Sequence, residues 1–267
     1  MRWTFCALVG VVLSGLLAAP SSPGQVPAAN EGEQLIQTFS IAAVEPETGT
    51  CGVAVASRAS NACRSVGHAR AGVGAVCTQY YSVPKWGAIA LDLLAQGKLP
   101  EEVSGELLRK DKGPGGRQLA IIDIEGRSCV RHPIKASKSG EYWGAMTGKH
   151  YTCQGNTLTG REVILGMAKA YEETKGSMAD RLMAALVAGD CAGGDHRGRL
   201  AAGIRVCKKG VEGYWLDLHI DNNKDAVVAL LKAYVELKHD AKGDWPGGQP
   251  PFKHPCPDRP APKPPAK

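Results

Sequence analysis

The chain has 267 residues, 43% of them hydrophobic and 22% charged, and its formal net charge is +6. After a terminal signal and a tail are set aside, about 200 residues remain, which is enough for one domain with a large core. The positive and negative residues are well mixed and no basic block alternates with aromatic residues, so the charge gives no support to nucleic-acid binding.

The first 28 residues predict a secretory signal peptide and a linker. The short basic start Met1–Thr4 precedes the apolar run FCALVGVVLSGLLAA at residues 5–19, and a stretch rich in Pro, Ser, Gly and Ala follows. The run is short for a membrane span, so we expect cleavage after Ala19 or Ala28, with an uncleaved anchor as the alternative. The mature protein is therefore predicted to be secreted or periplasmic and to have no membrane span.

The cysteine content predicts disulfides. Cys6 lies in the apolar run, and eight further cysteines remain after signal removal: Cys51, Cys63, Cys77, Cys129, Cys153, Cys191, Cys207 and Cys256. An even number in an exported chain favours disulfide bonds, although the sequence does not select their pairing. No CxxC and no Cys/His set with zinc spacing occurs, so no metal is expected. No dinucleotide-binding motif occurs either, and no cofactor is expected.

Hairpins and helix pairs alternate along the chain. Phe39–Val44 and Cys51–Ser57 flank the turn signal EPETG and predict a hairpin. Val53–Ala56 is apolar on both faces, which indicates a sheet that is covered on both sides. The further predicted elements are a strand at 71–77, helices at 86–96 and from Pro100, a hairpin at 118–124 and 127–134, helices at 161–174 and 178–188, a hairpin at 199–207 and 214–220, and a helix at 226–238.

This order predicts the fold class. Hairpins and helix pairs in this order can bury their apolar faces by packing antiparallel sheets between two helix layers. We therefore expect an α/β (α+β) protein with a four-layer αββα sandwich. The folded domain is predicted to span residues 38–240. The Pro-rich segment 245–267 cannot build a core and is expected to be an extended tail.

Several motifs in order resemble the DUF1028 family. The first is TFSI at 38–41, followed by EPETG at 45–49 and GVAVASR at 52–58. The others are RAGVGAV at 70–76 with Thr78-Gln79, QGN at 154–156, and AGGDHRGR at 192–199. The resemblance covers about Thr38 to Leu237. It implies a fold similar to that of the N-terminal-nucleophile (Ntn) hydrolases, in which two sheets lie between two helix layers.

The resemblance also implies a catalytic role for Thr38. Ntn hydrolases use the side chain of the mature N-terminal residue as nucleophile and its α-amine as general base. A free α-amine has a pKa of about 7.7–8, so it can take the hydroxyl proton near neutral pH. Thr38 would play both parts if the chain were cut between Gln37 and Thr38. As an alternative, Thr38 is an ordinary strand residue.

The same resemblance supplies candidates for substrate binding. They are Gln79, Asn156, Asp195, Arg197 and Arg199. The Asn156 side chain could donate to an oxyanion, Asp195 could hold an amine, and either arginine could bind a carboxylate. Asn156 as a plain turn residue is the alternative interpretation. The sequence departs from proteasome-type Ntn hydrolases at Ala56, where those enzymes have an Asp before the Ser-Arg pair.

Two hypotheses of different class follow. The first is an exported amidohydrolase or peptidase that cuts an amide in a small peptide or amino-acid derivative. The second is a non-catalytic exported binding protein of the same fold, which holds a small anionic molecule or a peptide. Both have a small-molecule or peptide ligand as partner, and the sequence leaves open whether the chain forms a homo-oligomer.

Overall fold

The computed structural model describes residues 34–112, 116–133, 141–240 and Cys256. The predicted signal lies outside the described residues, and so does the predicted tail apart from Cys256. The elements in chain order are β1 (Gln34–Ile36), β2 (Thr38–Glu45), β3 (Thr50–Ser57), α1 (Ala62–Val66), β4 (Gly67–Arg70), β5 (Gly74–Ser82), α2 (Lys85–Ala95), α3 (Pro100–Arg109), β6 (Arg117–Asp123), β7 (Ser128–Arg131), β8 (Tyr142–Gly148), β9 (Tyr151–Leu158), α4 (Glu162–Glu173), α5 (Met178–Cys191), β10 (Ala201–Cys207), β11 (Leu216–Ile220) and α6 (Ala226–Asp240).

The strands form two antiparallel sheets. The larger has six strands in the order β11-β10-β3-β2-β9-β8. The smaller has β1, β5, β6 and β7 in that order. Its fifth strand, β4, lies on the same edge of β5 as β1: β1 pairs with the end of β5 and β4 with its beginning. The β2–β3 hairpin lies at the centre of the larger sheet because β9 covers one of its edges and β10 the other.

The two sheets pack face to face and each carries helices on its outer face. Phe39 and Ile41 of β2 face α4 and α5 in one core, which α6 extends over β10 and β11. Val76 and Ile121 of the smaller sheet face α2 and α3 in a second core. A third core lies between the sheets and includes Val53. The predicted αββα sandwich is therefore confirmed.

Local sequence explains where the helices begin. Pro100 occupies the first turn of α3, where a backbone N–H would have no acceptor within the helix, so the N–H that proline lacks costs no hydrogen bond. Glu101 and Glu102 lie at the positive end of the helix dipole. Ser177 caps α5 by accepting a hydrogen bond from the backbone N–H of Asp180, whose side chain accepts from Ser177 in return.

The predicted elements are found with small shifts in their bounds, and five further elements are present. The predicted strand at 71–77 begins later, as β5 from Gly74. The additional elements are β1, α1, β4, β8 and β9. One of them, β1, lies upstream of the position where the domain was predicted to begin.

One disulfide is present among the described residues. Cys191 at the end of α5 is bonded to Cys256, across 65 residues of sequence. The other six described cysteines are buried free thiols, namely Cys51, Cys63, Cys77, Cys129, Cys153 and Cys207. The expectation that the cysteines form disulfides therefore holds for this one pair.

The described residues contain no helix that is long and apolar enough to cross a membrane. They also contain no group of three or more His, Cys, Asp or Glu side chains placed to hold a metal ion.

His68 in β4 gives the fold a pH dependence. Its ring packs against α2 so closely that a Cβ on Gly87 would lie 2.1 Å from it. Burial lowers the pKa of His68 from 6.5 to about 4, against the opposing effect of the Ser65 carbonyl. Because the folded-state pKa is depressed, the stabilisation is fully present above pH 6.5 and is lost as the pH falls towards 4.

We therefore expect the free energy of unfolding to fall by roughly 2–3 kcal/mol through this group between neutral pH and about pH 4. Urea denaturation of the wild type and of His68→Gln at both pH values measures the effect. The variant should lose less stability on acidification than the wild type. An identical loss in both proteins would contradict the assignment to His68.

Candidate functional site

Thr38 lies where the chain passes from one sheet to the other. Gln34–Ile36 form β1 in the smaller sheet, and after the single residue Gln37 the chain enters β2 in the larger sheet. Thr38 is fully buried. Its hydroxyl oxygen lies 3.1 Å from the Ile36 carbonyl oxygen and 3.1 Å from the Ser57 hydroxyl oxygen, so it can donate to either. The chain crossing thus places the Thr38 hydroxyl beside the segment that precedes it.

Ser57 joins the Thr38 hydroxyl to the carbonyl of Gln37. The two strand ends are in register, since Thr38 pairs with Ser57 across the β2–β3 ladder. The Ser57 hydroxyl donates to the Gln37 carbonyl oxygen at 2.7 Å and accepts from the Ala59 backbone N–H at 3.1 Å. A donor on this carbonyl polarises the Gln37–Thr38 peptide bond and would stabilise negative charge on its oxygen.

Asn156 completes the surroundings of that peptide. The Thr38 backbone N–H donates to the Asn156 Oδ1 at 3.2 Å, and the Asn156 Nδ2 donates to the Gln118 Oε1 at 2.8 Å. Asn156 is fully buried in β9. The next residue, Thr157, has φ +54°, which is rare for a β-branched residue and costs conformational energy. Backbone strain of this kind is most often found at functional sites.

Buried amide side chains extend this cluster between the sheets. Gln79 and Gln118 are register partners in β5 and β6, and the Gln79 Nε2 donates to the Gln118 Oε1 at 2.6 Å. The Gln79 Oε1 accepts from Ser40 at 2.6 Å, and Gln154 donates to Ser40 at 2.6 Å. All four side chains are almost fully buried. Such a network in a core is costly unless every group is paired, so it holds its members in fixed positions.

The glycine-rich loop after α5 lies at the same end of the larger sheet. The Leu200 backbone N–H donates to the Ser57 carbonyl oxygen at 2.8 Å, and Ala201 pairs with Ser57. Asp195 forms an isolated bridge with Leu158, the last residue of β9. The loop is therefore fixed to the strands that carry Thr38, Ser57 and Asn156.

Within this loop, the candidate charged residues are paired with neighbouring charges. Arg197 forms three hydrogen bonds to Asp195, from its Nε at 3.0 Å, from its Nη2 at 2.5 Å and from its backbone N–H at 3.0 Å. Burial raises the pKa of Asp195, although these bonds to Arg197 act in the opposite direction. Arg199 is buried and its Nε pairs with Asp190 of α5. Arg197 is partly exposed, so it is the member of this set best placed to meet a ligand.

The structure therefore brings three of the candidates into one network and holds the other three in the adjacent loop. Thr38, Gln79 and Asn156 are linked through hydrogen bonds, because the Gln79 Nε2 lies 3.4 Å from the Thr38 carbonyl oxygen. Asp195, Arg197 and Arg199 belong to the loop. Sequence reasoning missed Ser57 and Gln118. The only signal for Gln118 is a polar residue directly before the apolar run of β6.

Comparison with known proteins assigns a family to this architecture. Residues 38–230 match a family of unknown function, DUF1028. The chain belongs to the DUF1028 family. A crystal structure of the DUF1028 protein SPO2555 from Silicibacter pomeroyi superposes with a TM-score of 0.69 at 28% sequence identity, covering 78% of this chain and 88% of that one. No curated protein matches the chain.

The match begins at Thr38. The DUF1028 region of the chain thus starts at the residue whose hydroxyl lies beside Ser57, and it excludes β1. Ala56, where proteasome-type Ntn hydrolases have an Asp, is fully buried and faces the α4–α5 core. The polar side chains bonded to Thr38 are Ser57, Asn156 and Gln79.

Proposed function

We propose that this protein is an exported amidohydrolase of the Ntn type, which cleaves its own Gln37–Thr38 bond and then uses Thr38 as nucleophile. One observation carries the proposal. The Ser57 hydroxyl donates to the carbonyl oxygen of Gln37 at 2.7 Å while it lies 3.1 Å from the Thr38 hydroxyl. The nucleophile, the carbonyl and a donor for the developing oxyanion are thereby grouped around one peptide bond.

The cleavage step uses only these groups and one water molecule. The Thr38 Oγ1 attacks the carbonyl carbon of Gln37, and the oxygen of that carbonyl becomes an oxyanion that Ser57 stabilises. The C–N bond then breaks, the amide nitrogen takes up the hydroxyl proton, and an ester links Gln37 to the Thr38 side chain. Water hydrolyses the ester, which gives a carboxylate on Gln37 and a free amine and hydroxyl on Thr38.

Cleavage would convert the Thr38 nitrogen into a base. In the uncut protein this nitrogen is an amide and cannot accept a proton. After cleavage it is an α-amine with a pKa of about 7.7–8, and the Asn156 Oδ1 can continue to accept a hydrogen bond from it. Cleavage would also separate β1 from β2, so β1 could leave the edge of β5 and open the buried hydroxyl to substrate.

The polar groups around Thr38 suit an amide substrate with a charged end. Asn156 accepts from the Thr38 N–H and Ser57 donates to the Gln37 carbonyl oxygen, so both side chains contact the reacting bond. Arg197, which is partly exposed beside Asp195, is placed at the same end of the sheet and could bind a substrate carboxylate. A small peptide or an N-acylated amino acid fits these groups.

The intact mass and the N-terminal sequence of the exported protein test this proposal. The expected product begins at Thr38, and its α-amine reacts with an amine-specific acylating reagent. A fully folded protein that begins near residue 20 or 29 and keeps the Gln37–Thr38 bond would overturn it. In that case Thr38 remains an internal strand residue, and the binding-protein hypothesis becomes the one to test.

A further inference from the structure

The segment before Thr38 is bound to the smaller sheet as an extended strand. β1 pairs with β5 in antiparallel register, from Gln34 opposite Ser82 to Ile36 opposite Tyr80. β4 pairs with the same edge of β5 nearer the beginning of that strand. Among the described strands, β1 is therefore the one that covers this edge at the end of β5.

Ile36 anchors this strand in the hydrophobic core. Ile36 is 2% exposed and belongs to the core between the two sheets, whereas the next residue, Gln37, is partly exposed. Cleavage after Gln37 would end the covalent link from β1 to β2. Departure of β1 would then leave an unpaired strand edge and an apolar gap where Ile36 lay. An unpaired edge is a template for another extended chain, and an apolar gap favours an apolar side chain.

The end of β5 is held in place by contacts that do not involve β1. The Ser82 Oγ donates to the Thr78 carbonyl oxygen at 2.7 Å, and the Thr78 Oγ1 accepts from the Val83 N–H at 3.3 Å. Arg117 of β6 donates to the Tyr81 carbonyl oxygen at 2.5 Å. The edge is therefore expected to keep its shape after β1 has left, so a ligand would not have to order it on binding.

Tyr80 lies opposite Ile36 and has a strained backbone. Its φ is +65°, in the left-handed region that an aromatic residue rarely adopts. Its ring packs edge-on against Trp143 of β8, with 4.6 Å between the ring centres, and this contact joins the two sheets beside the place of Ile36. Strain of this kind persists only where the surroundings fix the residue, and it is most often found at functional sites.

The position of β1 also gives the direction in which a substrate lies. In self-cleavage the Thr38 Oγ1 attacks the Gln37 carbonyl carbon, and Ser57 donates to the carbonyl oxygen. A substrate that is attacked by the same hydroxyl with the same donor must place its carbonyl where the Gln37 carbonyl lies. The residues before that carbonyl run along β5 in the uncut protein, so the acyl side of a substrate continues into the space that β1 occupied.

We propose that the substrate is a peptide whose acyl side binds as an extended strand along Tyr80–Ser82 of β5. Its residue next to the cleaved bond takes the place of Gln37, and the residue before that one is branched and apolar and fills the place of Ile36. Main-chain hydrogen bonds to the β5 edge provide affinity, and the apolar gap provides selectivity. This assignment rests on the proposed function, because the edge becomes free only when the Gln37–Thr38 bond is cut.

Fluorescence anisotropy with the exported protein tests this assignment, after its intact mass shows a chain that begins at Thr38 and gel filtration has removed the released segment. The probe is a dye-labelled peptide QLIQ, which has the sequence of residues 34–37. We expect QLIQ to bind, and QLDQ to bind at least about tenfold more weakly, because an aspartate loses its hydration in an apolar gap. The scrambled peptide LQQI has the same composition and is the matched control. It should bind as weakly as QLDQ.

Thr38→Ala is the control on the protein side, because its uncut chain keeps β1 on the edge of β5. It should bind QLIQ at least about tenfold more weakly than the cut wild type, since the tethered strand competes with the peptide. Equal binding by the two proteins would overturn the assignment, and so would equal binding of QLIQ and QLDQ. A wild type that stays uncut would overturn the proposed function and this assignment together, so the intact mass distinguishes the two failures. Thermal denaturation confirms that Thr38→Ala is folded.

Discussion

Replacing Thr38 with alanine is expected to leave the Gln37–Thr38 bond intact, because the variant keeps the fold but has no hydroxyl to attack the Gln37 carbonyl. Thr38→Ser keeps a hydroxyl in the same place and should still be cleaved. Intact-mass spectrometry of freshly purified protein over time measures both rates. Hydrolysis of amide substrates, if present in the wild type, should disappear in Thr38→Ala as well.

The role of Ser57 gives this experiment a second, independent arm. Ser57→Ala removes the donor to the Gln37 carbonyl oxygen and should slow cleavage by about 10²- to 10³-fold, the usual loss for one oxyanion donor. Ser60→Ala is the matched control, since the Ser60 hydroxyl lies near the surface and bonds to Asn222 instead. Cleavage of Thr38→Ala at the wild-type rate would mean that another agent cuts the chain, and self-cleavage would be excluded.

The second large effect concerns stability. Arg117→Met is expected to lower the free energy of unfolding by about 3–5 kcal/mol, because it leaves Asp111 buried without its counter-charge. In the wild type the guanidinium holds both oxygens of Asp111, at 2.7 and 2.8 Å, and both side chains are almost fully buried. Arg117 also donates to the Tyr81 carbonyl oxygen at 2.5 Å and lies over the Trp86 ring.

Two further variants separate a lost ion pair from lost packing. Arg70→Met removes a guanidinium from a pair in which both side chains are exposed, 42% for Arg70 and 59% for Asp92, so its effect should stay below about 1 kcal/mol. Arg117→Met combined with Asp111→Leu removes both buried charges and should recover part of the loss. Urea denaturation at constant pH measures all three variants. A double variant as unstable as Arg117→Met would show that packing, and not the uncompensated carboxylate, causes the loss.

Most of the fold could be predicted because its helices and hairpins carry local signals. Pro100 favours the beginning of a helix, and the residue types of Pro46–Gly49 favour a turn, so α3 and the β2–β3 hairpin could be predicted. The β8–β9 hairpin could not be predicted in this way. The strand β9 is fully buried, but alternate residues of its sequence are polar, namely Thr152, Gln154 and Asn156. These side chains can be buried because they form hydrogen bonds with one another and with side chains between the sheets. Hydrophobic periodicity does not detect a strand whose inward face is a hydrogen-bond network.

The same limit applies to the candidate site. The family resemblance was sufficient to select Thr38, Gln79 and Asn156, which the structure joins in one network. Ser57 lies in the GVAVASR motif, but it could not be identified as a site residue, because the motif does not show which groups its hydroxyl contacts. Its position depends on the register of β2 and β3 and on the crossing of the chain at Gln37. Both are tertiary features.

The six buried thiols have a consequence if the chain is exported, as we propose, because an exported chain enters an oxidising compartment. Burial raises the pKa of Cys77 to about 12 and that of Cys129 to about 11, so the folded protein presents almost no thiolate to an oxidant at these positions. The sulfurs become reactive only while the chain is unfolded or newly synthesised. Correct maturation is then a competition between the rate of folding and the rate of thiol oxidation. A slowly folding variant would accumulate wrongly linked species even if its final fold were fully stable.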